Sequence, residues 1–155
     1  MIPETVLLTQ IILATILGGI IGLERQRNGT PAGFRTHVLV CLGATLFTIS
    51  SIAFPNASDP SRIAAGIVAG IGFIGAGAIF RARNQVKGIT TAAELWVMAA
   101  IGIIIGIQYY STAIITTVLI LVIMLIGNKL KHPEDTEKEL EELLTTPTIK
   151  KKKGK

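Results

Sequence analysis

Two glutamates at the edges of long apolar stretches are the side chains best placed for chemistry in this sequence. Glu24 ends the first stretch, and Glu94 lies near the start of a later one. Hard divalent cations prefer oxygen ligands and often keep several waters, so two carboxylates with nearby hydroxyls predict a metal site. The competing interpretation pairs Glu24 with a neighbouring arginine. It also places Glu94 in a capping box, with its carboxylate bound to the Thr91 amide.

The polar residues near these glutamates would form one cluster if the apolar stretches cross a bilayer, because both glutamates then lie at the same depth. Ionisable residues at membrane depth commonly mark functional sites. The cluster is predicted at the cytoplasmic mouth of the helices, and its members are Glu24, Arg25, Arg35, Thr36, Arg81, Asn84, Thr90 and Thr91.

Five membrane-spanning helices are the elements that must position this cluster. Of 155 residues, 50% are hydrophobic and 16% charged, which is more apolar than a soluble domain of this size needs to be. A crossing takes about 20 mostly apolar residues. Residues 92–126 are too long for one crossing, and Tyr109 and Tyr110 indicate a turn at the membrane surface. The predicted spans are 5–23, 36–54, 63–80, 91–107 and 111–127, within a domain of residues 1–128, followed by a short charged tail of residues 129–155.

Basic residues predict the orientation of these spans. All 15 Lys and Arg residues except Arg62 fall on the same side of the predicted membrane. Short loops rich in Lys and Arg stay in the cytoplasm. We therefore expect an all-α integral membrane protein with its N-terminus outside and its C-terminus in the cytoplasm. Topology explains the basic balance, so no nucleic-acid partner is expected.

The stretch GIGFIGAG, residues 70–77, contains the G-x-G-x-x-G pattern of a dinucleotide-binding loop. That loop requires a preceding strand in a soluble sheet, whereas this stretch lies inside an uncharged span, so we expect no nucleotide. Small residues instead let helices approach closely in lipid. The glycines predicted to pack helices are Gly18, Gly22, Gly66, Gly70, Gly72, Gly75, Gly77, Gly102 and Gly106.

Other catalytic or metal-binding patterns are missing from the sequence. The two histidines, His37 and His132, form no His-x-x-x-His motif, and the single cysteine, Cys41, lies inside the second span. A transition-metal site, a disulfide and an activated nucleophile are therefore not expected. We expect a protein that is not an enzyme and that takes no cofactor other than a metal ion.

Three segments in order along the chain resemble the membrane domain of the MgtC/SapB family. They are GGIIGLERQRNGTPAGFRTHVLVCLGATLF (18–47), RIAAGIVAGIGFIGAGAIFR (62–81) and VKGITTAAELWVMAAIGIIIG (86–106). The resemblance implies five spans in the cytoplasmic membrane of a bacterium or archaeon and a role in magnesium homeostasis. It makes Mg²⁺ the cation expected at Glu24 and Glu94. By this resemblance we expect a short form without the large soluble C-terminal domain of longer members.

Two classes of function stay open at this point. For Mg²⁺ transport, polar residues should continue through the bilayer. For a non-transporting regulator, they should stop at the mouth while glycine faces pack against another membrane protein, such as a transport ATPase or ATP synthase. The almost wholly apolar segment 98–107 disfavours a wide hydrated pore within one subunit. The expected partners are the lipid bilayer and either further copies of the chain or another membrane protein.

Overall fold

The computed structural model describes residues 3–53, 59, 61–82 and 85–130, and these residues contain five long helices. All five are long and apolar enough to cross a membrane, so the chain is a multi-pass membrane protein and the predicted number of spans is confirmed. The helices are α1 (Glu4–Arg27), α2 (Phe34–Ala53), α3 (Ser61–Ala78), α4 (Ile89–Gly106) and α5 (Tyr110–Lys129).

Local sequence signals account for several helix ends. Asn28 and Gly29 end α1, and Gly29 has a φ of +64°, a left-handed conformation that glycine adopts without steric cost. At the start of α3, the Asp59 carboxylate accepts hydrogen bonds from the amide and hydroxyl of Ser61, as a capping side chain does. These bonds favour the charged carboxylate and lower the pKa of Asp59.

Helix α2 packs against both α1 and α4. Glycines allow the helix backbones to touch at these contacts, as small residues do in lipid. A Cβ added to Gly22 would lie 2.7 Å from the Cα of Phe34, and one added to Gly106 would lie 2.5 Å from the Cβ of Thr48. Gly18 and Gly102 likewise lie against the backbone of α2.

Helix α3 packs on α4 with only a small part of its surface buried. A Cβ added to Gly75 would contact Ala92 at 3.5 Å. The other α3 glycines that were predicted to pack are exposed, and no described atom lies within 4 Å of an added Cβ. Their packing role stays a prediction, because it requires a partner outside the described chain. These glycines are Gly66, Gly70, Gly72 and Gly77.

A short hairpin joins α3 to α4, although the sequence predicted only helices. Strands β1 (Phe80–Ala82) and β2 (Gln85–Lys87) pair antiparallel. Strands of three residues are too short to show the alternating pattern that identifies a strand. Gly88 follows with a φ of +92°, and a Cβ there would collide with the Ala78 carbonyl at the end of α3. Only glycine therefore fits between the hairpin and α4.

A tight turn joins α4 to α5, as the polar residues there predicted. Gln108 has a φ of +69° in this turn. Gln10 of α1 completes the end of α4, because its Nε2 donates to the carbonyl oxygens of Ile105 and Gly106 at 3.0 and 2.8 Å. The last carbonyls of a helix have no helical partner, and in the hydrocarbon core water cannot replace one.

The chain divides into two compact units, Met1–Leu119 and Ile120–Lys155. Helices α1 to α4, the hairpin and the first half of α5 belong to the first unit, which contains every contact discussed below. In the second unit, the described residues are the last turns of α5 and Leu130. Most of the predicted charged tail, residues 131–155, lies outside the described residues.

The orientation across the membrane stays a prediction that cysteine labelling can test. We expect Tyr109→Cys to react with a membrane-impermeant maleimide on intact cells, and Lys87→Cys to react only after permeabilisation, since basic loops stay in the cytoplasm. Both side chains are exposed, and fully buried Cys41 gives the unmutated protein a low background. Strong labelling of Lys87→Cys on intact cells would reverse the topology.

Candidate functional site

Arg25 is the centre of a buried charge cluster at the end of α1. It lies on the helix face that carries Gly18 and Gly22, because residues three and four positions apart share a face, and it is only 4% exposed. Its Nε donates to the Glu24 carboxylate, and its Nη1 donates to Oε1 of Glu94 at 3.1 Å. One guanidinium therefore bridges two carboxylates, one from α1 and one from α4.

Glu94 is bound by Arg25 and not by the start of its own helix. Helix α4 begins at Ile89, with Gly88 as the N-cap residue, which places Glu94 in the second turn at 4% exposure. The predicted capping box with Thr91 is therefore wrong. A charge-assisted bond to a buried guanidinium is stronger than a bond to a neutral amide. The ion pair predicted for Glu24 does form, with Arg25.

His37 joins the cluster from α2, although the sequence predicted no role for it. Its side chain is fully buried, and its Nε2 lies 3.9 Å from Oε2 of Glu94. Its Nδ1 lies 2.9 Å from the carbonyl oxygen of Gly33, one turn earlier. The usable signal was the helical spacing of His37, Cys41 and Thr45, which places polar side chains on one buried face of α2.

The loop after α1 holds the Glu24 side of the cluster. Asn28 Nδ2 donates to the carbonyl oxygen and to Oε1 of Glu24, at 2.9 and 2.7 Å. The Thr30 hydroxyl lies 3.0 Å from the carbonyl oxygen of Arg25. These bonds satisfy carbonyls in the last turn of α1, which have no helical partner. Glu24 and Arg25 are thereby attached to a hydrogen-bonded loop and not to a free helix end.

Only part of the predicted polar cluster comes together. Glu24 and Arg25 meet Glu94, and Thr91 is buried one turn before Glu94. Long cationic side chains near helix ends can keep their charged groups in water, which explains why the other arginines stay outside. Asn84 lies outside the described residues. The remaining members are exposed Arg35, Arg81 and Thr90 and half-buried Thr36.

Glu24 and Glu94, the predicted metal ligands, face a guanidinium. Arg25 donates to both carboxylates and competes for the oxygens that a cation would need. In the part of the chain that the structure describes, no three His, Cys, Asp or Glu side chains are grouped so that they could hold a metal ion. Arginine keeps its proton in proteins and cannot itself become a ligand. These contacts identify no metal ligand, and the metal site at Glu24 and Glu94 stays a prediction.

A stripe of buried hydroxyl groups continues from the cluster along α2. Thr45, Thr48 and Ser51 are between 0% and 6% exposed. The Thr45 hydroxyl lies 2.9 Å from the carbonyl oxygen of Cys41 and 3.0 Å from that of Gly102 in α4. Thr48 and Ser51 also line a pocket of about 240 Å³ between α2, α3 and α4. Polar side chains therefore run along most of α2, even though the facing part of α4 is apolar.

These observations define a five-span membrane protein in which α1, α2 and α4 contribute to one buried charge cluster. The MgtC family model matches residues 11–132. The chain belongs to the MgtC family, as its three sequence segments predicted. No solved structure matches the chain.

Several bacterial proteins are similar to this chain over most of its length. "Putative magnesium transporter YhiD" of Escherichia coli (strain K12) is 45% identical over 129 residues, which cover 78% of this chain and 60% of that protein. Protein MgtC of Brucella abortus (strain 2308) is 46% identical over 110 residues, covering 71% of this chain and 46% of that protein. Protein MgtC of Salmonella typhimurium (strain LT2) is 45% identical over 111 residues, covering 72% and 48%. The chain thus spans about half the length of these relatives.

Proposed function

We propose that this chain acts in magnesium homeostasis and moves Mg²⁺ across the cytoplasmic membrane of a bacterium or archaeon. Its membership of the MgtC family supports the proposal, as does the name of the Escherichia coli relative, "Putative magnesium transporter YhiD". The five apolar helices supply the membrane-spanning framework that transport needs.

The buried polar stripe of α2 is the observation that carries the transport proposal. A cation needs polar groups at successive depths, because the hydrocarbon core does not solvate charge. Helix α2 offers His37, Thr45, Thr48 and Ser51 at such successive depths. Mg²⁺ is bound through oxygen atoms and keeps several waters, so hydroxyl and carbonyl oxygens along a hydrated path suit it.

Transport then requires α2 and α4 to separate, because the stripe is closed in this structure. Gly102 lies against the backbone of α2, and the Thr45 hydroxyl contacts the Gly102 carbonyl. In many transporters, groups of helices rock against one another around a fixed site. We propose that the contact between α2 and α4 is the one that opens.

A growth experiment tests the role in magnesium homeostasis. The unmutated chain should restore growth on limiting magnesium to a bacterium that lacks its own MgtC-family protein, whereas Glu94→Gln should not, because it breaks the bridge between α1 and α4. Growth rate and cellular magnesium are measured at matched amounts of membrane-inserted protein. Glu4→Gln is the control, since Glu4 is an exposed carboxylate at the other end of α1. Failure of the unmutated chain at full membrane levels would refute the role.

A second candidate function, regulation of another membrane protein, is favoured by the exposed glycines of α3. Gly66, Gly70 and Gly77 share one helix face, and an added Cβ there meets no described atom within 4 Å. Such a face can receive a helix of a transport ATPase, an ATP synthase or a second copy of the chain. If this candidate is correct, Gly70→Leu should abolish rescue of growth while Gly43→Leu, on α2, should not. Full rescue by Gly70→Leu would exclude it.

A further inference from the structure

The hydrogen bond of His37 fixes which ring nitrogen carries a proton. Nδ1 lies 2.9 Å from the carbonyl oxygen of Gly33, and a carbonyl oxygen can only accept. Nδ1 is therefore the donor. In a neutral imidazole the other nitrogen then has no proton and is an acceptor, so Nε2 presents a lone pair.

That lone pair faces another acceptor. Nε2 of His37 lies 3.9 Å from Oε2 of Glu94, and both side chains are at most 2% exposed. Within the described residues, neither atom has a hydrogen-bond partner. Two buried acceptors in this position satisfy each other only if one proton is placed between them, because an unmatched buried polar group is costly.

We propose that His37 and Glu94 form a buried proton-binding site, which holds one proton between Nε2 of His37 and Oε2 of Glu94. The proton belongs to the pair, as either an imidazolium facing a carboxylate or an imidazole facing a carboxylic acid. A hydrogen bond between nitrogen and oxygen spans about 2.7–3.2 Å, so the loaded pair closes slightly or uses one bridging water. The assignment does not depend on the proposed transport.

The charges around the pair show why a proton fits this site. Helix α1 contributes one negative charge from Glu24 and one positive charge from Arg25. With one shared proton, His37 and Glu94 together are neutral, and the whole cluster has no net charge. When the proton leaves for water, the cluster keeps one unbalanced negative charge, which is unfavourable at membrane depth.

No other described group facing the pair supplies a compensating charge. Helix α4 has no ionisable side chain besides Glu94 along Ile89–Gly106. The only charged residue of α3 is Arg62 at its far end, and α2 adds buried Cys41 and exposed Arg35. After proton loss, the lone pair on Nε2 of His37 in α2 therefore faces the carboxylate of Glu94 in α4. If the transport proposal is correct, this repulsion favours the separation of α2 from α4 that transport requires.

Nitrogen NMR of the full chain can observe the proton directly. His132→Gln leaves His37 as the only histidine, so ¹⁵N-histidine labelling reports on a single ring. We expect Nδ1 to keep the chemical shift of a protonated nitrogen at every pH. As one proton is lost, the chemical shift of Nε2 should change from that of a nitrogen sharing a proton to that of an unprotonated nitrogen. A carboxylic-acid infrared band that is lost in Glu94→Gln and retained in Glu4→Gln would place the proton on Glu94. If Nε2 has the chemical shift of an unprotonated nitrogen at every pH, and no carboxylic-acid band of Glu94 is seen, the proposal is overturned.

Glu94→Gln provides the matched test of the pair. An opposite charge within 4–6 Å stabilises a bound proton, so its loss should weaken proton binding at His37 about tenfold or more. Glu4→Gln should leave it unchanged. Equal proton affinity in Glu94→Gln and the unmutated protein would also overturn the proposal. The NMR measurement needs no change within the cluster, so it holds even if Glu94→Gln does not fold, and a lack of Mg²⁺ transport would not affect it.

Discussion

Arg25→Met will destabilise the folded protein by about 3–5 kcal/mol, the usual cost of removing one partner from a buried ion pair. Methionine keeps most of the length and apolar contacts of the arginine stem but removes the guanidinium. Glu24 and Glu94 then face each other without the bridging charge. Thermal unfolding of purified protein in detergent measures the loss.

Two further variants separate the ion bridge from a general effect of charge. Arg27→Met removes a cation from the same helix turn, but Arg27 is exposed, so its effect should stay within about 0.5 kcal/mol. Adding Glu94→Gln to Arg25→Met should recover part of the stability, because no unpaired carboxylate then remains on α4. If Arg25→Met were as mild as Arg27→Met, the guanidinium would not be the centre of this cluster.

Gly102→Ala will destabilise the contact between α2 and α4 by about 1–3 kcal/mol, which is typical of overpacking. The new Cβ would meet the Cys41 carbonyl, lie 2.7 Å from the Cβ of Ala44 and lie 3.1 Å from the Thr45 amide. Two of these three neighbours are backbone atoms, which cannot rotate away. The same thermal unfolding measurement applies.

Gly43→Ala is the control for this substitution. Gly43 also lies inside a helix, α2, but an added Cβ meets no described atom within 4 Å. Replacing such a glycine with alanine favours a helix by about 0.5–1 kcal/mol, so this variant should be slightly more stable. Equal stability of the Gly102→Ala and Gly43→Ala proteins would show that α2 and α4 do not touch at Gly102.

The five helices could be predicted because bilayer thickness and apolar length are both properties of single segments. The predicted spans end within four residues of the observed helices. The packing role of each glycine could not be predicted in the same way. Gly70 and Gly102 both lie in glycine-rich spans, yet only Gly102 touches another helix in the described chain. Which face of a helix is covered depends on its neighbours, and a single helix does not encode them.

Local sequence patterns also predicted the wrong binding partner for Glu94 and predicted no role for His37. The sequence from Thr91 to Glu94 fits a capping box, but Gly88 starts the helix earlier, and Arg25, 69 residues away along the chain, binds the carboxylate. His37 belongs to no His-x-x-x-His motif in the sequence. Its partner Glu94 comes close only after α2 and α4 pack. Long-range contacts of this kind leave almost no trace in one sequence.

Magnesium flux into liposomes that contain the purified chain tests the central proposal, that this chain moves Mg²⁺ across the membrane. An Mg²⁺-sensitive dye inside the liposomes should report entry for the unmutated protein and for Glu4→Gln. For Glu94→Gln the rate should fall towards that of empty liposomes, because the bridge between α1 and α4 is broken. Folded unmutated protein that admits no more Mg²⁺ than empty liposomes would contradict the proposal, and a Glu94→Gln protein that transports at the full rate would contradict the need for the bridge.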